Sequence, residues 1–176
     1  MKYFLCLVFV VSLCCALAYD IDYATKPSLD VSCSISNSKT YSRIGQKHYF
    51  LGHEKVNWFE AAHLCRRYGG DLAQIDSAEE MNAISSHLQH QGFKDNDYFW
   101  ISGNDLVINH MFLSISSGFP LTFTSWSAGQ PDFPGAEHCV HLWHRDGAFR
   151  MNNWSCTEKA FYICQREYSS RCQVNL

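Results

Sequence analysis

Residues 130–164, QPDFPGAEHCVHLWHRDGAFRMNNWSCTEKAFYIC, carry most of the information that decides the fold. Three strand-like apolar segments lie in this stretch, at Cys139–Trp143, Phe149–Met151 and Ala160–Cys164. Short apolar runs separated by polar and turn-forming residues are typical of strands. This part of the chain therefore indicates a group of short strands, and Cys139, Cys156 and Cys164 lie in or between them.

Two helices are predicted upstream of that stretch. Asn57 and Ser77 are expected to cap them, because a glutamate follows each of the two residues three positions later. Gly69-Gly70 and Gly92 supply the conformations that end a helix. The apolar face of the first helix is formed by Trp58, Ala61, Ala62, Cys65 and Tyr68, and that of the second by Met81, Ile84 and Leu88.

The rest of the pattern places strands on both sides of a long irregular region. Short strands are predicted at His48–Leu51 and Phe99–Ser102, whereas residues 103–138 show no sustained period. Irregular stretches of that length inside a compact domain are usually functional. Helices followed by a long loop and then by strands indicate an α+β fold.

The composition excludes several classes of protein. The chain has 176 residues, 47% hydrophobic and 18% charged, which is enough apolar material for one domain. Fourteen Lys and Arg against 17 Asp and Glu give a net charge of −3, which argues against nucleic acid as a partner. No Gly-x-Ser-x-Gly, His-Glu-x-x-His or phosphate-binding glycine loop occurs, so we expect a binding protein and not an enzyme.

The N-terminus predicts secretion. Residues 1–18 carry Lys2, an apolar run and Ala16-Leu17-Ala18, a pattern that is typical of a signal peptide cut before Tyr19. The alternative is an uncleaved anchor, although no later stretch predicts insertion into a membrane. Cleavage removes three of the nine cysteines, and the six that remain, an even number in a secreted chain, predict disulfides with 15 conceivable pairings.

The predicted organisation has four parts: a signal peptide at 1–18, an N-terminal extension at 19–44, one domain at 45–166 and a short tail at 167–176.

Several motifs resemble those of the C-type lectin-like domain and occur in that family's order. The resemblance covers residues 45 to 165 and implies two helices, small antiparallel sheets and a long ligand-binding loop. A small single domain with a signal peptide is further similar to secreted insect lectins, which implies a role in haemolymph defence or in reproductive secretions. The motifs are Trp58-x-x-Ala61-x-x-x-Cys65, Gly70-x-Leu72-Ala73, Trp100-Ile101-Ser102-Gly103, Gln130-Pro131-Asp132, Glu137-His138-Cys139, Met151-Asn152-Asn153-Trp154-Ser155-Cys156 and Ala160-Phe161-Tyr162-Ile163-Cys164.

The resemblance also implies which cysteines pair. Cys65 is expected to bond Cys164, and Cys139 is expected to bond Cys156. The preferred partner of Cys33 is Cys172, because the two ends of the family's domain lie close together. The alternative for these last two residues is an intermolecular disulfide.

By the same resemblance, one Ca²⁺ is expected on five residues of the long loop and the strand that follows it. All five offer side-chain oxygens, the donors that Ca²⁺ prefers, and a cis Gln130-Pro131 bond is compatible with this arrangement. Two neighbouring sugar hydroxyls would complete the calcium shell. Gln-Pro-Asp is the family's galactose-type signature. The expected calcium ligands are Gln130, Asp132, Glu137, Asn152 and Asn153.

Three features depart from the family pattern and keep other interpretations open. Asn153 stands where the family has aspartate, so only two carboxylates remain and we expect weak binding, at about 10⁻⁴–10⁻³ M Ca²⁺. The segment between Asp132 and Glu137 is about one residue shorter than usual. Asn153-Trp154-Ser155 is also a glycosylation sequon. The alternatives are a plain turn at Gln-Pro-Asp, and a secreted protein-binding module that has lost calcium.

Aromatic and histidine side chains complete the predicted site. Phe133 and Trp154 are candidates to cover the apolar face of galactose on glycoproteins or cell surfaces. Trp126 is a weaker candidate for contact with the sugar, and we expect it to pack at the base of the loop. Weak single sites would need several copies held together, as in a homo-oligomer. Three histidines follow, His138 and His144 on one face of a strand and His141 on the other, and solvated or hydrogen-bonded side chains are favoured over a zinc site.

Overall fold

A computed structural model describes residues 40–166 of the chain. Within this range two helices pack against a mixed sheet, as the α+β prediction requires. The helices are α1 (Trp58–Arg67) and α2 (Ala78–His90). The strands are β1 (Ser42–Ile44), β2 (Lys47–Val56), β3 (Asp71–Leu72), β4 (Tyr98–Asn104), β5 (Leu113–Ser114), β6 (Cys139–Arg145), β7 (Ala148–Trp154) and β8 (Ala160–Arg166).

The sheet has the order β1-β2-β8-β4-β6-β7, with β3 paired to β8 and β5 to β4. All pairs are antiparallel except β4 and β8, which run parallel with Phe99 opposite Phe161. The expectation of small antiparallel sheets is therefore corrected to one connected, mixed sheet. Strand β1 lies in the range predicted as an extension, so the sheet begins before residue 45.

Both helix starts are as predicted. The side chain of Asn57 accepts a hydrogen bond from the backbone N–H of Glu60 at 2.9 Å, and Ser77 accepts one from Glu80 at 3.1 Å. Each bond satisfies one of the N–H groups left free in a first helical turn. The start of α2 has a further bond, because the Glu80 carboxylate accepts from the backbone N–H of Asp76 at 2.8 Å.

Each face of the sheet has its own core. Successive residues of β4 point to opposite faces: Phe99 and Ile101 join the core that contains the apolar stripe of α2, while Trp100 joins the core that contains α1. The two indoles near the α1 start also bind backbone carbonyls. Trp58 donates to Ile101 at 2.8 Å and Trp100 donates to Val56 at 2.9 Å. These bonds join β2, α1 and β4 around the buried tryptophans.

Gly52 is required by a close approach of two strands. It lies opposite Tyr162 in the β2–β8 pairing. A Cβ atom at Gly52 would come within 2.1 Å of the Tyr162 ring, well inside van der Waals contact. The Tyr162 hydroxyl donates to Glu54 at 2.9 Å, which holds the ring across the strand.

Two disulfides join the elements in the expected way. Cys65 on α1 is bonded to Cys164 on β8, and Cys139 at the start of β6 is bonded to Cys156 just after β7. Cys33, Cys172, the predicted signal peptide and the predicted tail lie outside the described residues. In the part of the chain that the structure describes, no helix is long and apolar enough to cross a membrane.

Candidate functional site

The β6–β7 hairpin carries one side of the site. A two-residue turn at Asp146 and Gly147, both with positive φ, joins the strands, and Cys139 lies opposite Trp154 at the other end. This register places Asn152 and Asn153 at the end of β7 that the Cys139–Cys156 disulfide holds. The disulfide thus closes the end of the hairpin that directly follows the long loop.

The long loop is attached to β7 by backbone hydrogen bonds around Met151. Ser125 accepts from the Met151 N–H at 2.8 Å, and the Ser127 N–H donates to the Met151 carbonyl at 2.9 Å. The Gln130 N–H then donates to the Ser127 carbonyl at 3.0 Å. These bonds bring the loop residues Gln130 and Asp132 to the strand that carries Asn152. The Gln130-Pro131 peptide bond is cis, as the sequence interpretation allows.

Asn153 connects both ends of the segment between Asp132 and Glu137. Its Oδ1 accepts from the Asp132 backbone N–H at 3.3 Å, and its Nδ2 donates to the Glu137 carbonyl at 3.1 Å. The side chain is fully buried. A glycan on Nδ2 would break the second bond and has no room, so the folded domain does not accommodate one there.

Two buried oxygens of the predicted ligand set have no hydrogen-bond partner among the described residues. They are Oε1 of Gln130 and Oδ1 of Asn152. Buried polar groups are nearly always paired, so an unpaired acceptor needs an explanation such as an ion. Amide and carboxylate oxygens are the donors that Ca²⁺ binds. The residues present therefore fit a calcium ion on the criterion of their unused oxygens.

The two carboxylates of the set are electrostatically coupled. The pKa of Glu137 is raised, first by burial and second by the negative charge of Asp132. Among residues 40–166 no group of three or more His, Cys, Asp or Glu side chains could hold a metal. A cation at this place would therefore depend on the amide oxygens as much as on the carboxylates.

The predicted aromatic contacts lie in two different surroundings. Phe133 is partly exposed and packs on His110 and Phe112, with ring centroids 4.1 and 5.9 Å apart. Trp126 packs on Phe112 at 4.9 Å, at the base of the loop as expected. Trp154 packs against the rings of Tyr98, Trp100 and His141.

The three histidines are hydrogen-bonded, and two of the contacts involve a fully buried side chain, Asp105 or His141, which the sequence did not indicate. His138 binds the buried Asp105, and His144 binds the exposed Asp95. His141 is 1% exposed and binds Asn152. Burial lowers the pKa of His141 to about 3. The sequence indicated only that His141 lies on the opposite face of the strand from His138 and His144.

The sequence model of the Lectin C-type domain matches residues 54–166. The chain belongs to the C-type lectin domain family. C-type lectin domains generally bind carbohydrate and calcium and are typically non-enzymatic. The match includes the two helices, the long loop and the β6–β7 hairpin, so all five predicted ligands lie inside the family domain.

Relatives of this C-type lectin chain include proteins from insects and fish. C-type lectin 37Db of Drosophila melanogaster is 39% identical over 123 residues, covering 69% of this chain and 79% of that protein. The galactose-specific lectin nattectin of Thalassophryne nattereri is 34% identical over 129 residues, covering 73% and 79%. The carbohydrate-recognition domain of the mouse scavenger receptor C-type lectin superposes with a TM-score of 0.63 and 27% identity, covering 74% and 95%.

Proposed function

We propose that this protein is a secreted, calcium-dependent lectin with a preference for galactose-type glycans. The observation that carries the proposal is the pair of buried, unpartnered oxygens, Gln130 Oε1 and Asn152 Oδ1. A buried amide oxygen without a partner costs roughly 1–3 kcal/mol. Coordination to a cation offsets that cost, and two such oxygens in one ligand set make a cation the simplest explanation.

The charges of the set support the same proposal. Asp132 and Glu137 act on each other across the loop, and the raised pKa of Glu137 reflects burial together with that repulsion. A divalent cation that both carboxylates bind would offset the repulsion. With two formal charges and several neutral oxygens, we expect affinity in the weak extracellular range, about 10⁻⁴–10⁻³ M.

Asn153 has a double role in the proposal. Its amide already holds Asp132 and Glu137 in position through two backbone contacts. A carbonyl oxygen has two lone pairs, so Oδ1 can accept from Asp132 and still offer one lone pair to a cation. Asn153 thus serves as a ligand while it fixes the spacing of the two carboxylates.

Calcium bound there would supply a cation that accepts two neighbouring sugar hydroxyls as ligands. The side chains of Gln130, Asp132, Glu137 and Asn152 would exchange hydrogen bonds with the same hydroxyls. Phe133, partly exposed beside the loop, would cover the apolar face of galactose, and Trp154 would support the site from below. The galactose preference rests on the Gln130-Pro131-Asp132 signature, and a relative named as galactose-specific is consistent with it.

The test is chromatography on immobilised galactose in millimolar calcium, with mannose resin as the comparison. Wild-type protein should be retained on galactose and released by a chelator. The Asp132→Asn variant should pass through, because it loses a charged ligand. Asp146→Asn is the matched control: Asp146 lies in the turn at the other end of the β6–β7 hairpin and has positive φ, which asparagine tolerates. It should behave as wild type.

Passage of folded wild-type protein through the galactose resin would overturn the proposed specificity. Retention that a chelator does not reverse would overturn the calcium dependence. Circular dichroism of each fraction confirms folding in either case.

A second function, binding of a protein partner without calcium, is favoured by one observation. Four large apolar side chains between residues 106 and 111 of the long loop are exposed, with Val107 at 77%. Clustered exposed apolar residues often mark interaction surfaces. A thermal unfolding temperature that does not rise with calcium would favour this function. The four exposed apolar residues of this surface are Leu106, Val107, Ile108 and Met111.

A further inference from the structure

His141 and Asn152 face each other across the β6–β7 hairpin. The Nε2 atom of His141 lies 3.0 Å from the Nδ2 atom of Asn152. An amide NH₂ group carries only donors, so the imidazole nitrogen must be the acceptor in this bond. With the amide in this orientation, Nε2 carries the lone pair and Nδ1 carries the proton, and this buried Nδ1 has no hydrogen-bond partner among the described residues.

The imidazole is held in one orientation by aromatic rings on its own strand and on both neighbouring strands, β4 and β7. The ring centroids of Tyr98, Trp100, Trp143 and Trp154 lie between 5.1 and 5.9 Å from that of His141. The side chain is almost fully buried. Rotation of the ring would displace one of these large side chains, so Nε2 stays directed at Asn152.

The orientation of the Asn152 amide follows from this contact. With Nδ2 bound to His141, Oδ1 is the end of the amide directed away from that nitrogen, and it is buried and unpartnered. The oxygen and nitrogen ends of an amide have nearly the same shape, so packing alone selects poorly between two orientations related by a 180° rotation. An Nε2 acceptor at residue 141 selects the orientation seen in the structure, whereas an Nε2–H donor would select the opposite one.

We propose that His141 is a positioning residue that directs the oxygen of Asn152, and not its NH₂ group, toward the cation. The proposal rests on the calcium site of the proposed function and adds to it a residue outside the ligand set. The opposite orientation would present two N–H donors to the cation and remove one ligand. His141 thus controls calcium affinity without touching the ion.

Calcium titration calorimetry of three variants tests this role. His141→Leu replaces the imidazole with an apolar side chain of similar bulk and removes the acceptor. We expect calcium affinity to fall by about 10- to 100-fold, the usual effect of losing a residue that orients a metal ligand. His141→Gln restores an acceptor oxygen and should remain close to wild type. His144→Leu is the control, because His144 lies on the same strand and binds Asp95 instead.

A measurement on the wild-type protein keeps the proposal testable even where a variant fails to fold. Long-range ¹⁵N–¹H correlation spectra of histidine distinguish an unprotonated Nε2 from an unprotonated Nδ1. We expect His141 of the calcium-loaded protein to be the Nδ1–H tautomer. Observation of the Nε2–H tautomer would overturn the proposal, because that nitrogen could not accept from the amide.

The possible outcomes separate the two proposals. Wild-type protein that binds no calcium overturns the calcium site and the positioning role together. Wild-type protein that binds calcium, with His141→Leu folded and unchanged in affinity, overturns only the positioning role. A loss in His141→Leu that His141→Gln restores supports it.

Discussion

The Nδ1 atom of His138 lies 2.9 Å from Oδ1 of Asp105, a carboxylate whose side chain is fully buried. The other carboxylate oxygen, Oδ2, accepts from the backbone N–H of His110 at 2.8 Å, and the Asp105 N–H donates to the His138 carbonyl at 3.0 Å. Asp105 thus ties the start of the long loop to the residue after the predicted ligand Glu137.

Removal of the Asp105 carboxylate should destabilise the domain. We expect Asp105→Ala to lower the free energy of unfolding by about 2–3 kcal/mol, because His138 and His110 each lose an acceptor. Urea unfolding measures the change. The matched control is Asp95→Ala, which removes the partner of His144 at an 80% exposed position and should leave stability unchanged within error. Equal effects of the two substitutions would contradict the structural role of Asp105.

Asn153→Asp should change stability and calcium affinity in opposite directions. The variant loses the donor to the Glu137 carbonyl, so the calcium-free protein should lose roughly 1–3 kcal/mol of stability. A third carboxylate should raise calcium affinity on the order of tenfold. Titration calorimetry measures the calcium affinity, and urea unfolding without calcium measures the stability. Asn82→Asp, which adds the same charge at an exposed position of α2, should affect neither.

The Asn153-Trp154-Ser155 sequon should be unused in the folded protein. Asn153 is completely buried, and its Nδ2 is bonded to the loop. Mass spectrometry of the tryptic peptide Met151–Lys159 should therefore find no attached hexosamine. A glycopeptide at this position would show that the loop adopts another arrangement.

Stability should fall as the pH is lowered below about 6.5. The pKa of His141 is about 3 in the folded protein, against about 6.5 in an unfolded chain. The unfolded state therefore binds one more proton in this window, which costs roughly 1 kcal/mol of stability per pH unit. Urea unfolding in calcium-free buffer between pH 7 and pH 5 measures the slope. The raised pKa of Glu137 acts in the opposite direction.

His141→Gln isolates the contribution of His141 in that experiment. The variant keeps Glu137 and lacks the titrating imidazole, so its stability should depend less steeply on pH than that of wild type. Identical slopes for the two proteins would contradict a neutral, buried His141.

Local structure could be predicted from the sequence because its causes are local. Asn57 and Ser77 cap their helices through bonds to residues three positions away, and such spacing is visible in the chain. The parallel pairing of β4 with β8 could not be predicted in this way. Phe99 and Phe161 are 62 positions apart in the sequence, and nothing in either strand specifies the other as its neighbour.

The same distinction between features that the sequence pattern indicates and features that depend on tertiary packing applies to the site. The oxygen-bearing residues of the predicted ligand set could be selected by resemblance, and the disulfides followed from the same source. The double use of the Asn153 amide and the contact between His141 and Asn152 depend on the register of β6 against β7 and on the path of the loop. Both are properties of tertiary packing, so the sequence pattern alone did not indicate them.

The bond between Cys65 and Cys164 spans 99 positions and encloses the whole long loop. A protease that cuts any peptide bond of the loop therefore produces two pieces that remain one covalent molecule. The piece with α1 and α2 stays attached to the piece with the β6–β7 hairpin, and only a reducing agent separates them. A nicked molecule would therefore run as a single species on a non-reducing gel and as two fragments on a reducing gel.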